Sequence, residues 1–563
     1  MLRKIRVVLA AIFFTFITLL FLDFTGTLHA WFGWMAKIQF LPAILAVNAG
    51  IVIILVILTL LCGRVYCSVI CPLGVFQDTV SWINGKRGKK HRMRFSWSPA
   101  KSWLRYGVLV LFIIALIAGI GSSVALLEPY SAYGRMVSNL FAPLYQWGNN
   151  LLAYLAERID SYAFYSKDVW MKSIPTFVTA AVTFTVIVIL AWRNGRTWCN
   201  TICPVGTVLG WLSRFSIFAV RIDADKCTSC SLCTRGCKAS CIDYRNHKID
   251  YSRCVACMDC IDNCTHGAIS YTFRYRRQNP ASGTAGSDTP ENPGISGNPP
   301  SLPAKDRLTA NISATDIGSE VTGTVNGTTR SVPDSISDQI RSTSRRNFIS
   351  ATAVVAATAI AKAQEKKVDG GLATIEKKAI PERKTSIVPP GALSLRNFYQ
   401  HCTACQLCVS VCPNDVLRPS GGLMRLMQPE MSYERGYCRP ECTKCSDVCP
   451  AGAIRPVTVA EKSSIQVGHA VWIKKNCIVM TDDVECGNCA RHCPTGAIQM
   501  VEIRHRHRRR HGTGGNPEEE RATVRIPVIN QEKCIGCGAC ENLCPARPFT
   551  AIYVEGHEVH REI

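Results

Sequence analysis

Apolar positions divide this chain into three regimes. Residues 1–215 carry long runs almost free of charge, residues 216–275 and 364–563 carry short apolar stretches punctuated by Cys and Pro, and residues 276–343 carry almost none. Four runs, residues 7–22, 40–61, 106–127 and 174–192, approach or reach the length that crosses a bilayer, about 20 apolar residues as helix. The first is somewhat short, and Pro42 falls early in the second, where a helix tolerates it. Residues 136–156 also lack charge, but Asn139, Gln146, Asn149 and Asn150 interrupt them, which reads as an interfacial or re-entrant helix. The pattern predicts a four-helix transmembrane module over residues 1–215.

Basic residues orient that module. They gather at Arg3, Lys4 and Arg6, at Lys86, Arg87, Lys89, Lys90, Arg92, Arg94, Lys101 and Arg105, and at Arg193 and Arg196. The other two loops are poor in positive charge or balanced by acid. Cytoplasmic loops collect Lys and Arg, so both ends of the module face the cytoplasm of a multi-pass protein in the bacterial cytoplasmic membrane. The net charge of +23 (64 Lys+Arg against 41 Asp+Glu) is partly this signal. No basic stripe with interleaved aromatics accompanies it, so nucleic acid is not an expected partner.

The module contains a repeat. Gly63-Arg64-Val65-Tyr66-Cys67-Ser68-Val69-Ile70-Cys71-Pro72-Leu73-Gly74 follows the second run, and Gly195-Arg196-Thr197-Trp198-Cys199-Asn200-Thr201-Ile202-Cys203-Pro204-Val205-Gly206 follows the fourth. Each Cys pair is one helical turn apart, so its thiols can share a face. Cys67, Cys71, Cys199 and Cys203 are candidate redox or metal thiols; the plain alternative is small residues that fit a tight turn before Pro. Cys62 has no counterpart in the second copy and reads as structural.

Thirty Cys in 563 residues need a reason, and six four-Cys runs account for 24 of them. Cys227, Cys230, Cys233, Cys237 and Cys254, Cys257, Cys260, Cys264 share C-x2-C-x2-C-x3-C spacing, in which three Cys hold one [4Fe–4S] cubane and the fourth holds its neighbour. Proline follows neither fourth Cys, and Cys241 competes with Cys237 as ligand. Four further runs end in C-x3-C-P: Cys402, Cys405, Cys408, Cys412; Cys438, Cys442, Cys445, Cys449; Cys477, Cys486, Cys489, Cys493; and Cys534, Cys537, Cys540, Cys544. Zinc sites use two C-x2-C pairs rather than triplets with a distant fourth Cys. A disulfide framework does not repeat one spacing six times. Six [4Fe–4S] clusters are expected, in a two-cluster ferredoxin domain at 216–275 and a four-cluster domain at 364–563. Gly267-Ala268-Ile269, Gly452-Ala453-Ile454 and Gly496-Ala497-Ile498 suit short ferredoxin strands. The fold class is α + (α+β).

Residues 276–343, rich in Ser, Thr, Pro, Gly and Asn, cannot bury a core and read as a disordered linker. Residues 344–363 open on Ser344-Arg345-Arg346-Asn347-Phe348-Ile349 and end on Ala361-Lys362-Ala363, a twin-arginine-like export signal placed inside the chain. Its apolar part is too short for an ordinary span, and the twin-arginine route carries folded, cluster-loaded domains; an Ala-rich soluble helix beside a basic loop is the alternative. Residues 364–563 are then expected in the periplasm. Arg504-His505-Arg506-His507-Arg508-Arg509-Arg510-His511 is either a solvated loop, partly neutralised by Glu518, Glu519 and Glu520, or a dock for an acidic redox partner or anionic headgroups.

These motifs carry a family resemblance. Residues 1–275, with four spans, two C-x3-C-P turns and a two-cluster ferredoxin, resemble the NapH-type membrane ferredoxin subunit of periplasmic nitrate reductase systems and the related parts of NosR and CcoG. Residues 344–563, with the twin-arginine segment and four C-x3-C-P runs, resemble the exported NapG-type subunit. The fusion, the missing Pro after Cys237 and Cys264, and the basic insertion depart from that pattern. The resemblance implies a membrane-bound electron-transfer protein of anaerobic respiration, quinol dehydrogenase-like, that takes electrons from the quinol pool to a periplasmic reductase or cytochrome. It also implies nested ligation in the four-cluster domain, with Cys544 completing the first cluster and Cys412 the last. No general acid–base pair or nucleophile stands out, so no catalytic residue is assigned. Glu128, Glu157 and Asp160 are candidates for releasing quinol protons. Two rival readings are a conduit fed by a cytoplasmic ferredoxin or flavoprotein, and a metal-reducing maturation factor for a respiratory enzyme acting through Cys67, Cys71, Cys199 and Cys203.

Overall fold

A computed structural model describes residues 1–86, 95–275, 376–482, 484–506 and 521–563. The linker, the twin-arginine-like segment, the basic residues 87–94 and residues 507–520 of the basic insertion lie outside the described residues. Residues 1–276 and 376–563 form one compact unit.

Helices Leu2–Leu22 and Ile174–Asn194 are long and apolar enough to cross a bilayer. The other two predicted spans are not continuous helices. The second breaks into Phe40–Leu45 and Ala49–Cys62 at Val47 (φ 54°), after which the Asn48 side chain accepts from Ile51 N and starts a new helix. The third breaks into Ser102–Ile117 and Gly121–Leu127 at Gly119, whose φ of 72° suits glycine and ends the first segment. Residues 136–156 are helical as expected: Pro129–Met136 runs through a π turn, Val137–Phe141, into Ala142–Glu157.

The two copies of the repeat fold alike. Gly63 and Gly195 both take positive φ (73° and 67°), which no side chain adopts without strain. Short helices Val65–Val69 and Thr197–Thr201 follow. Cys71 and Cys203 then cap helices Pro72–Gly85 and Pro204–Leu212, each with Pro in its first turn, where a missing N–H costs nothing.

The remaining strands form two-stranded antiparallel ribbons with one recurring plan. Phe218–Ile222 pairs with Ile269–Phe273 around the first two Cys runs, and a short hairpin, Ile242–Asp243 with Lys248–Ile249, separates those runs. Ile465–Trp472 pairs with Ile552–Glu562 around the last two runs, with the hairpin Ile498–Arg506 and Arg521–Ile529 between them. The two middle runs flank a third hairpin, Leu417–Pro419 with Pro429–Met431. Two of the three Gly-Ala-Ile turns lead into strands; the one at Ile454 does not, because Pro456 follows and has no N–H for a ladder.

The ferredoxin parts attach at opposite ends of the two long helices. At the start of Leu2–Leu22, Arg3 Nε donates to Asp259 (2.8 Å), and just past its end Thr25 O accepts from Lys444 Nζ (2.9 Å). Before Ile174–Asn194, Lys172 Nζ donates to Val409 O (2.9 Å), and past its end Arg196 N donates to Lys238 O (2.8 Å). Twenty-one residues of helix span roughly 31 Å, and that length separates residues 218–275 from residues 376–563.

Candidate iron–sulfur centres and the buried thiol core

Cluster ligation begins with backbone shape. In four of the runs the residues on either side of the middle Cys are left-handed: Ser229 and Ser231, Ala256 and Met258, Ala404 and Gln406, Gly536 and Gly538, all with φ between 48° and 79°. Six of these eight are not glycine, and such a conformation costs on the order of 1–3 kcal/mol per residue. Alternation of this kind turns successive N–H groups toward one concave face, a cradle for a negatively charged group. The same strain built four times around a Cys is a fit to thiolate-bound clusters rather than to packing.

The side chains agree. Cys227, Cys230 and Cys233 share a cavity with Cys264; Cys438, Cys442 and Cys445 with Cys412; Cys477, Cys486 and Cys489 with Cys544; Cys534, Cys537 and Cys540 with Cys493. Cys402, Cys405 and Cys408 stand against Cys449, and Cys254, Cys257 and Cys260 against Cys237. Cys241 lies at this last cage too, its Sγ 3.6 Å from that of Cys237. Backbone N–H groups of Ala470 and Ala551 donate to Cys534 and Cys544 Sγ (3.4 Å each), the kind of contact that tunes a cluster's potential. Each cage fits a cubane, which would supply one-electron redox chemistry; the chain supplies ligands, burial and N–H···S contacts.

This pairing corrects the nested expectation. Cys412 joins the second run, not the fourth, and Cys544 joins the third, not the first. The reason is the hairpin between the runs of each pair: it folds the fourth Cys of one run back beside the triplet of the next, closing a short loop rather than a domain-long one. The units meet where Cys438 N donates to Cys537 O (2.9 Å), so the cages of the second and fourth runs are neighbours.

The repeat brings Cys67, Cys71, Cys199 and Cys203 together, all buried. The two arginines cross over. Arg64 Nη2 donates to Cys199 O (3.3 Å) and packs on Gly206; Arg196 Nη1 donates to Cys67 O (2.5 Å) and packs on Gly74. A Cβ at either glycine would strike these groups, which is why both recur in the repeat. The copies differ in counter-ion: Arg196 has Asp78 (2.9 and 2.7 Å), whereas Arg64 uses Asn200 Oδ1 (2.9 Å) and Ser252 O (3.1 Å). Burial pushes the Cys71 and Cys203 thiols well up, so both are neutral near pH 7. Among the described residues no group of three or more His, Cys, Asp or Glu is gathered tightly enough to hold a single ion. Cys62 lies at the ferredoxin contact, where its carbonyl accepts from Tyr271 Oη (3.0 Å).

One polar group escaped sequence reading. Arg135 is 1% exposed, and none of its guanidinium nitrogens has an acceptor among the described residues. It stands near Glu128 and Cys405, and a Cβ on neighbouring Gly134 would lie 2.7 Å from Cys405 O. Its charge therefore faces the cage of Cys402, Cys405, Cys408 and Cys449. Glu128, a proton-release candidate, is buried and caps helix Pro129–Met136 through Ser131 N; Glu157 and Asp160 are exposed.

Stacked cysteine cages on a helical base define a multi-centre iron–sulfur protein of the ferredoxin type. Models described as 4Fe-4S binding domains match residues 46–90 and 176–222, which contain the two C-x3-C-P turns, and residues 398–418; a 4Fe-4S dicluster domain matches residues 484–547. That last match joins the fourth run to Cys486, Cys489 and Cys493 of the third, in accord with the pairing above. The chain is 31% identical to the methylamine utilization ferredoxin-type protein MauM of Methylophilus methylotrophus over 29% of its own length and 69% of MauM. It is 30% identical to the ferredoxin-type protein NapF of Escherichia coli K12, over 31% of this chain and 91% of NapF. With the ferredoxin-type protein NapH of Haemophilus influenzae it shares 27% identity over 33% of this chain and 52% of NapH. The chain belongs to this family of Nap- and Mau-related ferredoxin-type electron-transfer proteins. No solved structure matches it.

Proposed function

We propose that the protein is a transmembrane iron–sulfur wire. Four membrane passes, two of them broken helices, carry a two-cluster ferredoxin on the cytoplasmic face and four clusters on the periplasmic face. The six cysteine cages would hold [4Fe–4S] clusters, which would supply one-electron steps from a quinol to a periplasmic reductase or cytochrome. The observation that carries this reading is the attachment of ferredoxin units at both ends of the same bilayer-length helices. The chain's own work is to insulate the clusters and set their spacing and potential, since the redox chemistry belongs to the clusters.

Two measurements test it. Thiol labelling of single-Cys reporters in intact cells should place residues 376–563 outside and residues 218–275 inside; both on one side would end the proposal. Anaerobically purified protein should hold close to six cubanes of iron and acid-labile sulfide, and a quinol analogue should bleach them. A second reading reverses the donor, with a cytoplasmic ferredoxin or flavoprotein loading the N-terminal clusters. It is favoured by the largely buried Arg6, Asp78, Lys238 and Asp259 network, joined by Arg3 at the surface, that fixes those cages to the helices. Reduction of the protein by such a donor, but by no quinol, would select it.

A further inference from the structure

A cleft of about 510 Å³ opens where helix Ile174–Asn194 meets the C-terminal ferredoxin unit. Its volume lies within the range of about 300–1,000 Å³ that small-molecule sites occupy. The mouth is apolar and open: Met171, Ile174 and Ile380 are 55%, 68% and 50% exposed, and Val178, one turn along the helix, is 52% exposed. The back is closed by Ile387 and Met431, both buried. Between mouth and back stand Lys172, Arg383, Arg418, Glu430 and Ser432.

Most of these polar groups are already engaged. Lys172 Nζ donates to Val409 O (2.9 Å), Arg418 pairs with Glu434 (2.6 Å), and Arg383 pairs with Glu541 (2.5 Å). Ser432 is different: it is 6% exposed and its Oγ has no partner among the described residues. Burial raises the Glu430 carboxyl toward its protonated form, and Ser420, Arg383, Arg418 and Arg425 pull it back down. Met431 lines a second cavity as well, the cage of Cys412, Cys438, Cys442 and Cys445. One side chain therefore separates the cleft from a cluster.

We propose that this cleft is the quinol site: the isoprenoid tail lies along Met171, Ile174 and Val178, the ring hydroxyls meet Ser432 and Glu430, and electrons leave across Met431. The inference rests on the quinol-fed reading above and supplies its entry point. Oxidising one quinol to its quinone breaks two O–H bonds and releases two electrons and two protons. Two [4Fe–4S] clusters would take these electrons, one each, the nearer being the one that Cys412, Cys438, Cys442 and Cys445 would hold behind Met431. One proton passes to the Glu430 carboxylate and on to water, the other to water at the cleft mouth.

The test uses the full chain in nanodiscs with its clusters intact. Its probes are short-tailed menaquinol and ubiquinol for anaerobic stopped-flow bleaching, and 2-heptyl-4-hydroxyquinoline N-oxide for equilibrium binding by fluorescence quenching. Met171→Trp closes the mouth from an exposed position, so the fold is spared. It should weaken N-oxide binding and slow quinol-driven bleaching, each by about tenfold or more. Glu430→Gln should keep N-oxide binding but slow bleaching, lowering kcat more than it raises KM. Both variants should match wild type in dithionite-reduced EPR spectra, which report the clusters without the cleft. If wild type is bleached by quinol and both variants keep its rate, the cleft is not the site. If neither quinol bleaches wild type, the quinol-fed reading falls and this inference falls with it.

Discussion

Asp78 anchors the junction between the helices and the N-terminal ferredoxin, and replacing it by Asn is the sharpest structural test. The carboxylate accepts from Arg196 Nε (2.9 Å) and Nη2 (2.7 Å) and from Arg6 Nη1 (2.9 Å), with Lys238 Nζ at 3.8 Å. The Arg196 side chain is 0% exposed, so it has no water to turn to. Asp78→Asn keeps the shape and deletes the charge. Removing one member of a buried pair costs about 3–5 kcal/mol, mostly from the stranded charge. Two arginines lose a partner here, but only Arg196 is stranded: Arg6 and Lys238 retain Asp259 at 3.9 and 3.0 Å, which holds the loss within that range rather than doubling it. The assay is thermal unfolding in detergent, followed by loss of cluster absorbance. Asp78→Asn should melt well below wild type, and the Asp78→Leu/Arg196→Met double variant should recover much of the difference, because no lone charge remains buried. Coincident melting of Asp78→Asn and wild type, or a double variant equal to the sum of its singles, would refute the argument. The pH dependence follows in sign. Burial opposes the charge, but Arg196, Lys238 and Arg6 more than offset it and hold the carboxyl well below the usual range. The stabilisation is therefore complete above the unfolded Asp value of about 3.9 and is lost only as pH falls through the lower folded value. Wild type should show no loss from this group between neutral pH and about pH 4.

Three further outcomes are expected. Cys412→Ala combined with Cys442→Ala should remove one cubane of iron and sulfide, whereas Cys412→Ala combined with Cys537→Ala should remove two; nested ligation predicts the reverse. Arg135→Met should lower the midpoint potential of a single cluster in an EPR-monitored titration, because a positive charge favours the reduced state, and an unchanged titration would mean the guanidinium does not act on the cage. Gly538→Ala should lose the cluster of the fourth run, since φ is 79° there and a Cβ would lie 2.2 Å from the Tyr433 ring; full iron content in that variant would contradict the geometry.

The features legible in the sequence were local ones. A Cys triplet with spacing of two is complete within seven residues, so its chemistry could be read directly, and so could the repeat that carries Cys67, Cys71, Cys199 and Cys203. The breaks in the second and third apolar runs were also written locally, as Asn48 and as the Gly119 and Gly121 pair, but uninterrupted hydrophobicity masked them. What failed was the fourth ligand of each C-terminal cage. Spacing says nothing about which distant run supplies it, and the hairpin that decides the matter lies partly in a segment whose strongest signal was charge.

Arg135 shows the same limit more sharply. On the sequence it is one arginine before an uncharged stretch, and its meaning comes only from residues 403–406 folding against it from about 270 positions away. Arg64 and Arg196 are the intermediate case, since duplication marked them as a pair but not that each serves the other copy. The crossing has a mechanical consequence. Each arginine is buried against the opposite Cys turn, so neither copy can shift alone without exposing or stranding a charge. The N-terminal cysteine cages rest on that crossing through Ser252 and Lys238, and two arginines thereby hold those cages in register with the helices.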